Sequence, residues 1–181
     1  MKQIFNNSYL KSFKFSSYQE VEEFLDSQKS KCALALKETF GNNYFCYVCY
    51  HSLTRDVLFT LTFSSDADAD SFNFLFWDEP KLFVLDTGEY IYLLNDKLSI
   101  VKFLDITTPL IGLYLVGKDR LLILEEAFLR LVDAEGKVIK SELFDLILDF
   151  GIKNDRLFIK TDQEERNFEL SSHSCKPKQV L

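Results

Sequence analysis

Three stretches of the chain repeat one pattern, in which a basic residue leads a run of β-favouring apolar residues. The three stretches are Lys81–Asp86, Arg120–Glu125 and Arg156–Thr161. Their leading leucines, Leu82, Leu121 and Leu157, lie 39 and then 36 residues apart. Similarity at a fixed period of this length is typical of stacked β-repeats, in which each unit buries its faces against the next. The pattern therefore predicts that the three leucines occupy equivalent structural positions.

Turn-forming residues separate the apolar runs at the places where consecutive antiparallel strands must be connected. They are Thr87-Gly88, Asn95-Asp96, Gly117–Asp119, Glu135-Gly136 and Asn154-Asp155. In the second repeat we predict strands at Ile111–Val116, Arg120–Glu125, Ala127–Val132 and Val138–Phe144. The competing interpretation is a helix over 121–132, which is rich in helix formers, but the repeat phase argues against it.

Several predicted strands are apolar on both alternating faces, which indicates sheets covered on both sides. The residues that we expect to be largely buried are Ile123, Leu131, Phe150, Phe158 and Ile159.

The N-terminal part contains a helix signal. Ser17 and Glu20 form the two ends of a capping box, and Val21, Phe24 and Leu25 then fall on one helical stripe. We predict a helix from Tyr18 to Gln28, whose stripe is suited to cover an exposed apolar strand. Further strands are predicted at Cys32–Thr39, Tyr44–Tyr50, Val57–Phe63 and Phe72–Trp77.

These elements predict a mainly β protein built from antiparallel four-stranded meander repeats, with one short N-terminal helix. The repeats could form a small or incomplete β-propeller-like structure, an open array or a β-sandwich. We expect residues 1–181 to be a single domain, with the helix and a divergent β unit in residues 1–66 and three repeats of about 36–39 residues in 72–181.

The segment Leu129–Lys140 resembles the repeat of quinoprotein-type β-propellers. In that repeat a strand ends in Asp, turns through Gly and returns to a tryptophan that docks between blades. Asp133 and Gly136 match the pattern, and Lys140 stands in the place of the tryptophan. The first repeat lacks the glycine. The resemblance implies blade-like, four-stranded units; it implies no quinone cofactor, because the residues that bind one are not found here, and we predict no cofactor.

The charge balance narrows the possible partners. The 181 residues carry 21 basic and 28 acidic side chains, a net charge of −7 at pH 7. No basic cluster is available to neutralise phosphates, which argues against nucleic acid, and no apolar run is long enough for a membrane span. Four cysteines without a secretion signal indicate reduced thiols and a cytoplasmic protein. We expect a monomer or a homodimer that binds a protein partner.

Two constellations could carry chemistry. Cys46, Cys49 and His51, with His173 and Cys175, contain zinc-ligand types, but residues three apart on a strand point to opposite faces. Alternate carboxylates at Asp66, Asp68 and Asp70 resemble a calcium loop, yet Ser71 and Trp77 stand where its glycine and its bidentate glutamate belong. We predict no metal site at either place.

No motif for catalysis is present in the sequence. A serine elbow and a glycine-rich phosphate loop are both absent, and we assign no catalytic residue. The favoured function is a non-catalytic protein-binding scaffold, with an immunity-type inhibitor of a basic protein as its specific version. The alternative is a hydrolase or ligand-binding enzyme with a carboxylate-lined site near Asp66–Asp70.

Overall fold

The computed structural model describes residues 2–3, 7–30, 32–36, 41–67, 72–154, 156–170 and 178–179. One helix, α1, spans Tyr18–Gln28. The strands are β1 Lys2–Gln3, β2 Ser8–Phe15, β3 Ala33–Ala35, β4 Asn43–His51, β5 Val57–Ser65, β6 Phe74–Trp77, β7 Leu82–Asp86, β8 Tyr90–Leu94, β9 Ile100–Asp105, β10 Leu110–Val116, β11 Arg120–Glu125, β12 Phe128–Asp133, β13 Val138–Leu143, β14 Asp149–Lys153, β15 Arg156–Lys160, β16 Glu165–Glu169 and β17 Lys178–Gln179. The helix and the strands of the second repeat agree with the sequence prediction, and no helix replaces β11 and β12.

The strands form four sheets. The N-terminal sheet has the order β1-β2-β4-β5-β3, and repeat sheet 1 is the meander β6-β7-β8-β9. Repeat sheet 2 has the order β13-β12-β11-β10-β17, and repeat sheet 3 has the order β14-β15-β16. Neighbouring strands are antiparallel except for β3, which pairs in parallel with β5. Of the predicted Cys32–Thr39 strand, the structure describes β3 at Ala33–Ala35, and residues 37–39 lie outside the described ranges.

Three apolar clusters lie between successive sheets and hold them in a stack. One joins the N-terminal sheet to repeat sheet 1, through side chains such as Phe45 and Phe83. The next joins repeat sheets 1 and 2, and the last joins repeat sheets 2 and 3. In the described residues, no such cluster joins repeat sheet 3 back to the N-terminal sheet. Among the described residues the stack is therefore open, with blade-like units.

The second strands of the three repeats are equivalent, but the sequence alignment of the first is wrong by one residue. Leu121 and Leu157 each point toward the preceding sheet, whereas Leu82 points toward the following one. The side chain equivalent to Leu121 is Phe83, which packs against the N-terminal sheet. Lys81 lies in the turn, with φ 66°, and β7 begins at Leu82, whereas Arg120 and Arg156 are themselves the first residues of β11 and β15. A one-residue slip on a strand exchanges the two faces.

The turn after the third strand has one geometry in the first two repeats. The Oδ1 atom of Asn95 accepts hydrogen bonds from the amides of residues 97 and 99, at 3.0 and 2.9 Å. The Oδ1 atom of Asp133 accepts from residues 135 and 137, at 3.0 and 2.9 Å. Gly136 takes φ 75° in one turn, and Leu98 takes φ 59° in the other. The strain of a left-handed leucine is offset because Leu98 is buried in the first cluster. The repeat is thus maintained without its glycine.

A tryptophan links repeat sheets 1 and 2. The Nε1 atom of Trp77 donates a hydrogen bond to the carbonyl oxygen of Lys118, at 2.8 Å. Trp77 is fully buried in the cluster between these two sheets. In the propeller repeat, a tryptophan at the position of Lys140 docks between blades. In this chain Trp77, at the end of β6, takes that role. Lys140 instead places its ammonium 4.9 Å from the ring centroid of Phe168.

Helix α1 covers the outer face of the N-terminal sheet. The Ser17 hydroxyl accepts the amide of Glu20 at 3.3 Å, and the Glu20 carboxylate accepts the amide of Ser16 at 2.9 Å. Val21 is buried, and the Phe24 ring packs on Phe13 at a centroid distance of 4.6 Å. The helix covers a sheet face rather than a strand edge, because β4 and β5 are interior strands. The described ranges contain no helix with the length and apolar character that crossing a bilayer requires.

Candidate functional site

The outer face of repeat sheet 3 ends the stack and is the candidate functional site. In strands β14, β15 and β16, alternate side chains point toward repeat sheet 2 and away from it. We call the set that points away the open face: Asp149, Gly151, Lys153, Arg156, Phe158, Lys160, Glu165, Asn167 and Glu169. Apart from Phe158 and Gly151, every member is polar or charged.

The open face differs from the equivalent faces of the preceding sheets. Where repeat sheet 2 directs Leu129 and Leu131 toward its neighbour, repeat sheet 3 has Glu165 and Asn167. The position equivalent to Leu124 is Lys160, whose ammonium lies 3.6 Å from the Glu165 carboxylate. A polar outer face is what a terminal repeat of a stacked β array needs to remain in water.

Phe158 interrupts this polar surface. It is 41% exposed, so the prediction that it is buried is wrong, whereas Ile159 beside it is 1% exposed. Strand β11 is buried on both faces because a sheet lies on each side of it. Strand β15 has a sheet on one side, and no described residue covers its other face. Gly151 lies directly across from Phe158, and a Cβ atom there would meet no other atom. An open concavity of about 580 Å³ lies beside the ring, lined on the far strand by residues including Glu165.

The three other side chains expected in the core have mixed outcomes. Ile123 and Leu131 are buried, as predicted. Phe150 is half-buried and packs against the cluster between repeat sheets 2 and 3.

The outer edge of repeat sheet 3 also differs from the others. Repeat sheets 1 and 2 each have a fourth strand, β9 or β13, paired with the third. In the described ranges, no strand pairs with the outer edge of β16. One hydrogen bond shows which residues of β16 direct their backbone groups to this edge. The amide of Thr161 donates to the Glu164 carbonyl at 2.9 Å, so the backbone of residue 164 points toward β15. Antiparallel pairs alternate, so Glu165, Asn167 and Glu169 direct their amides and carbonyls away from β15.

Two buried carboxylates elsewhere in the chain hold linkers between sheets. Asp86 accepts hydrogen bonds from the Gly88 amide at 2.8 Å and from Asn73 Nδ2 at 3.1 Å, and burial raises its pKa. Glu125 accepts the amides of residues 107 and 108 at 2.6 and 2.8 Å, and it is paired with Arg130. Each carboxylate accepts hydrogen bonds from the segment that precedes the first strand of its own sheet. Asp86 binds residue 73 before β6, and Glu125 binds residues 107 and 108 before β10. We therefore assign them a structural role.

The Cys46–His51 segment has no geometry for metal binding. Cys49 faces the cluster toward repeat sheet 1, and Cys46 pairs in register with Phe13 on the helix side. Burial raises the pKa of the Cys46 thiol to about 12 and that of Cys49 to about 11. His51 Nδ1 lies 3.3 Å from the amide of Thr54. His173 and Cys175 lie outside the described residues, among which no group of three or more ligand side chains is placed to hold a metal.

The acidic segment at 66–70 is described only in part. Asp66 Oδ1 accepts hydrogen bonds from the Asn42 amide at 2.8 Å and from its side-chain nitrogen at 3.1 Å. Asp68, Asp70 and Ser71 lie outside the described residues. The described carboxylate thus closes a turn against the start of β4.

Comparison with known proteins supports the repeat architecture. No protein-family model and no curated protein sequence matches the chain. The structure is similar to the crystal structure of BamB from Moraxella catarrhalis, with a TM-score of 0.51 and 9% identity, covering 78% of this chain and 49% of that one. It also matches a Kluyvelomyces marxianus Hsv2 structure and a KlHsv2 variant whose loop 6CD is a Gly-Ser linker. The match to the Kluyvelomyces marxianus structure has a TM-score of 0.41 and 10% identity, and it covers 70% of this chain and 43% of that one. The match to the KlHsv2 variant has a TM-score of 0.46 and 8% identity, and it covers 69% of this chain and 42% of that one.

The similarity to BamB, a β-propeller, is a likeness of fold and supports a β-propeller-type repeat architecture for this chain. The chain spans about half the length of the BamB chain that it matches.

Proposed function

We propose that this chain is a non-catalytic protein-binding scaffold and that its partner docks on the open face. The observation that carries the proposal is Phe158, a 41% exposed aromatic ring at the centre of an otherwise polar sheet face. A buried aromatic anchor surrounded by polar contacts is the usual composition of a binding hot spot. The mixed charges around Phe158 provide the polar rim.

The charge of the chain favours a basic partner. The net charge is −7, and β16 presents Glu165 and Glu169 beside the ring. Opposite charge speeds encounter between proteins and discourages wrong partners. An immunity-type inhibitor that neutralises a basic protein is the specific version of this proposal, with cytoplasmic action as the setting that the reduced thiols favour.

The test is affinity capture from the native cell extract with three forms of the chain. The wild-type chain is compared with Phe158→Asp and with Leu53→Asp, a matched control at an 80% exposed apolar side chain in the turn between β4 and β5. We expect one basic protein to be retained by the wild-type chain and by the control, and to be lost with Phe158→Asp. The same protein must then bind when purified. Equal retention by all three forms would show that the open face is not the binding surface.

A further inference from the structure

The third strand of repeat sheet 3 has the same position as the strands that pair with a fourth strand in the two preceding sheets. Ile91 and Leu93 in repeat sheet 1 pair with β9, and Leu129 and Leu131 in repeat sheet 2 pair with β13. The equivalent residues in repeat sheet 3 are Glu165 and Asn167, whose outward backbone groups have no strand partner among the described residues.

We propose that β16 is a strand-addition site that takes an extended basic segment of a partner protein as the fourth strand of repeat sheet 3. The proposal rests on the binding function proposed above and names its mode and the chemistry of the partner. Backbone hydrogen bonds to an open edge supply affinity in this mode, and alternate side chains supply selectivity.

The side chains of β16 define the sequence that fits. On an antiparallel strand, the residues opposite Glu165 and Glu169 are four positions apart and lie on the open face. Basic side chains at these two positions form cross-strand pairs with the carboxylates. The position opposite Phe168 points toward repeat sheet 2 and favours an apolar side chain, because Phe168 belongs to the apolar cluster there. The segment therefore carries basic residues opposite Glu165 and Glu169, an apolar residue opposite Phe168 and a polar residue opposite Asn167.

A second copy of the chain is a poor occupant of the same edge. Antiparallel pairing of two β16 strands about Asn167 would place Glu165 of one copy opposite Glu169 of the other. Like charges directly opposite each other destabilise strand pairing. The charges that repel another copy are the ones that attract a basic segment, and they also protect a free edge from aggregation.

The test uses the full chain and a synthetic peptide, acetyl-Thr-Lys-Val-Thr-Val-Lys-Thr-amide. The control peptide replaces both lysines with glutamate. Backbone amide shifts and hydrogen exchange are followed by NMR during titration. We expect the lysine peptide to shift and protect the amides of Glu165, Asn167 and Glu169, and the glutamate peptide to bind about tenfold more weakly, because two attractive pairs become repulsive.

Two variants and one control separate edge pairing from general charge attraction. Asn167→Pro removes an outward amide that β15 does not use, so the sheet should fold and the peptide should no longer bind. Ser141→Pro is the matched control, since residue 141 has an outward amide on β13. The double change Glu165→Lys and Glu169→Lys should reverse the preference between the two peptides, and it keeps the test valid if Asn167→Pro does not fold.

Three results would overturn strand addition. Equal peptide binding by the wild-type chain and Asn167→Pro would show attraction without edge pairing. Protection of the amides of 165 and 167 in the free chain would show that another part of the chain, or a second copy, already occupies the edge. Absence of binding, while Phe158-dependent capture of a basic protein persists, would reject this mode and leave the proposed function standing.

Discussion

Replacing Leu157 or its neighbour Phe158 by alanine tests the open face from within one strand. The two residues are adjacent on β15 and point in opposite directions. Leu157 is 0% exposed and packs in the cluster between repeat sheets 2 and 3, whereas Phe158 is 41% exposed. The larger side chain is therefore expected to matter less for stability than the smaller one.

The magnitudes follow from what each substitution leaves behind. Leu157→Ala removes buried methyl groups and opens a cavity between two sheets, at a cost of about 2–5 kcal/mol. Phe158→Ala removes a ring whose space water can fill, so no cavity is created and the cost should be about 1 kcal/mol.

Urea unfolding of both variants measures the difference. With a slope of about 2 kcal/mol per M, Leu157→Ala should lower the midpoint by roughly 1–2.5 M and Phe158→Ala by about 0.5 M. The slopes of the unfolding curves should stay unchanged. A loss for Phe158→Ala equal to or larger than that for Leu157→Ala would show that the outer face of repeat sheet 3 is packed in solution, and it would refute the reasoning.

Three further predictions concern the interior. Trp77→Phe should lower the free energy of unfolding by about 2 kcal/mol in a urea titration followed by circular dichroism, since it removes the hydrogen bond to the Lys118 carbonyl; an unchanged midpoint would contradict the link between sheets. In a variant with Cys32 and Cys175 replaced by serine, Cys46 and Cys49 should resist a thiol reagent at pH 8 and react fully in urea, because burial raises the pKa of both thiols. Rapid labelling of the native chain would contradict this prediction. Burial raises the pKa of Asp86, so the folded state binds this proton more tightly than the unfolded state. The free energy of unfolding of the wild-type chain, relative to that of Asp86→Asn, should therefore fall as the pH rises from about 4 to 7. Parallel pH profiles of the two proteins would contradict the raised pKa.

Local patterns were sufficient to predict most elements of the fold. The capping box at Ser17 predicts α1 correctly, because the signal lies within one turn of helix. The apolar runs from Leu110 to Val132 predict β10, β11 and β12, and the repeat phase correctly excludes a helix there. The turns that separate them carry their own side-chain hydrogen bonds, as Asp133 shows.

Features that depend on neighbouring sheets were not predictable from one strand. The alternation around Phe158 matches that of buried strands, and only the position of β15 at the end of the stack exposes the ring. The slip between Leu82 and Leu121 arises because Lys81 belongs to the turn before β7 whereas Arg120 already belongs to β11, a difference that a comparison of apolar runs does not register. A signal for the open face was present in the sequence. Charged residues at 160 and 165 replace the apolar ones of the preceding repeat, a change that marks a terminal unit.

Residue-resolved hydrogen exchange of the free chain tests most directly whether repeat sheet 3 ends the stack with an unpaired edge. The amides of Ile91 and Leu129, which bond to fourth strands in repeat sheets 1 and 2, should be strongly protected. Within β16, the amides of Arg166 and Phe168 should also be protected, because they point toward β15. The amides of Glu165 and Asn167 should exchange at nearly the rate of an unstructured peptide. Protection of these two amides equal to that of Ile91 and Leu129 would contradict the account.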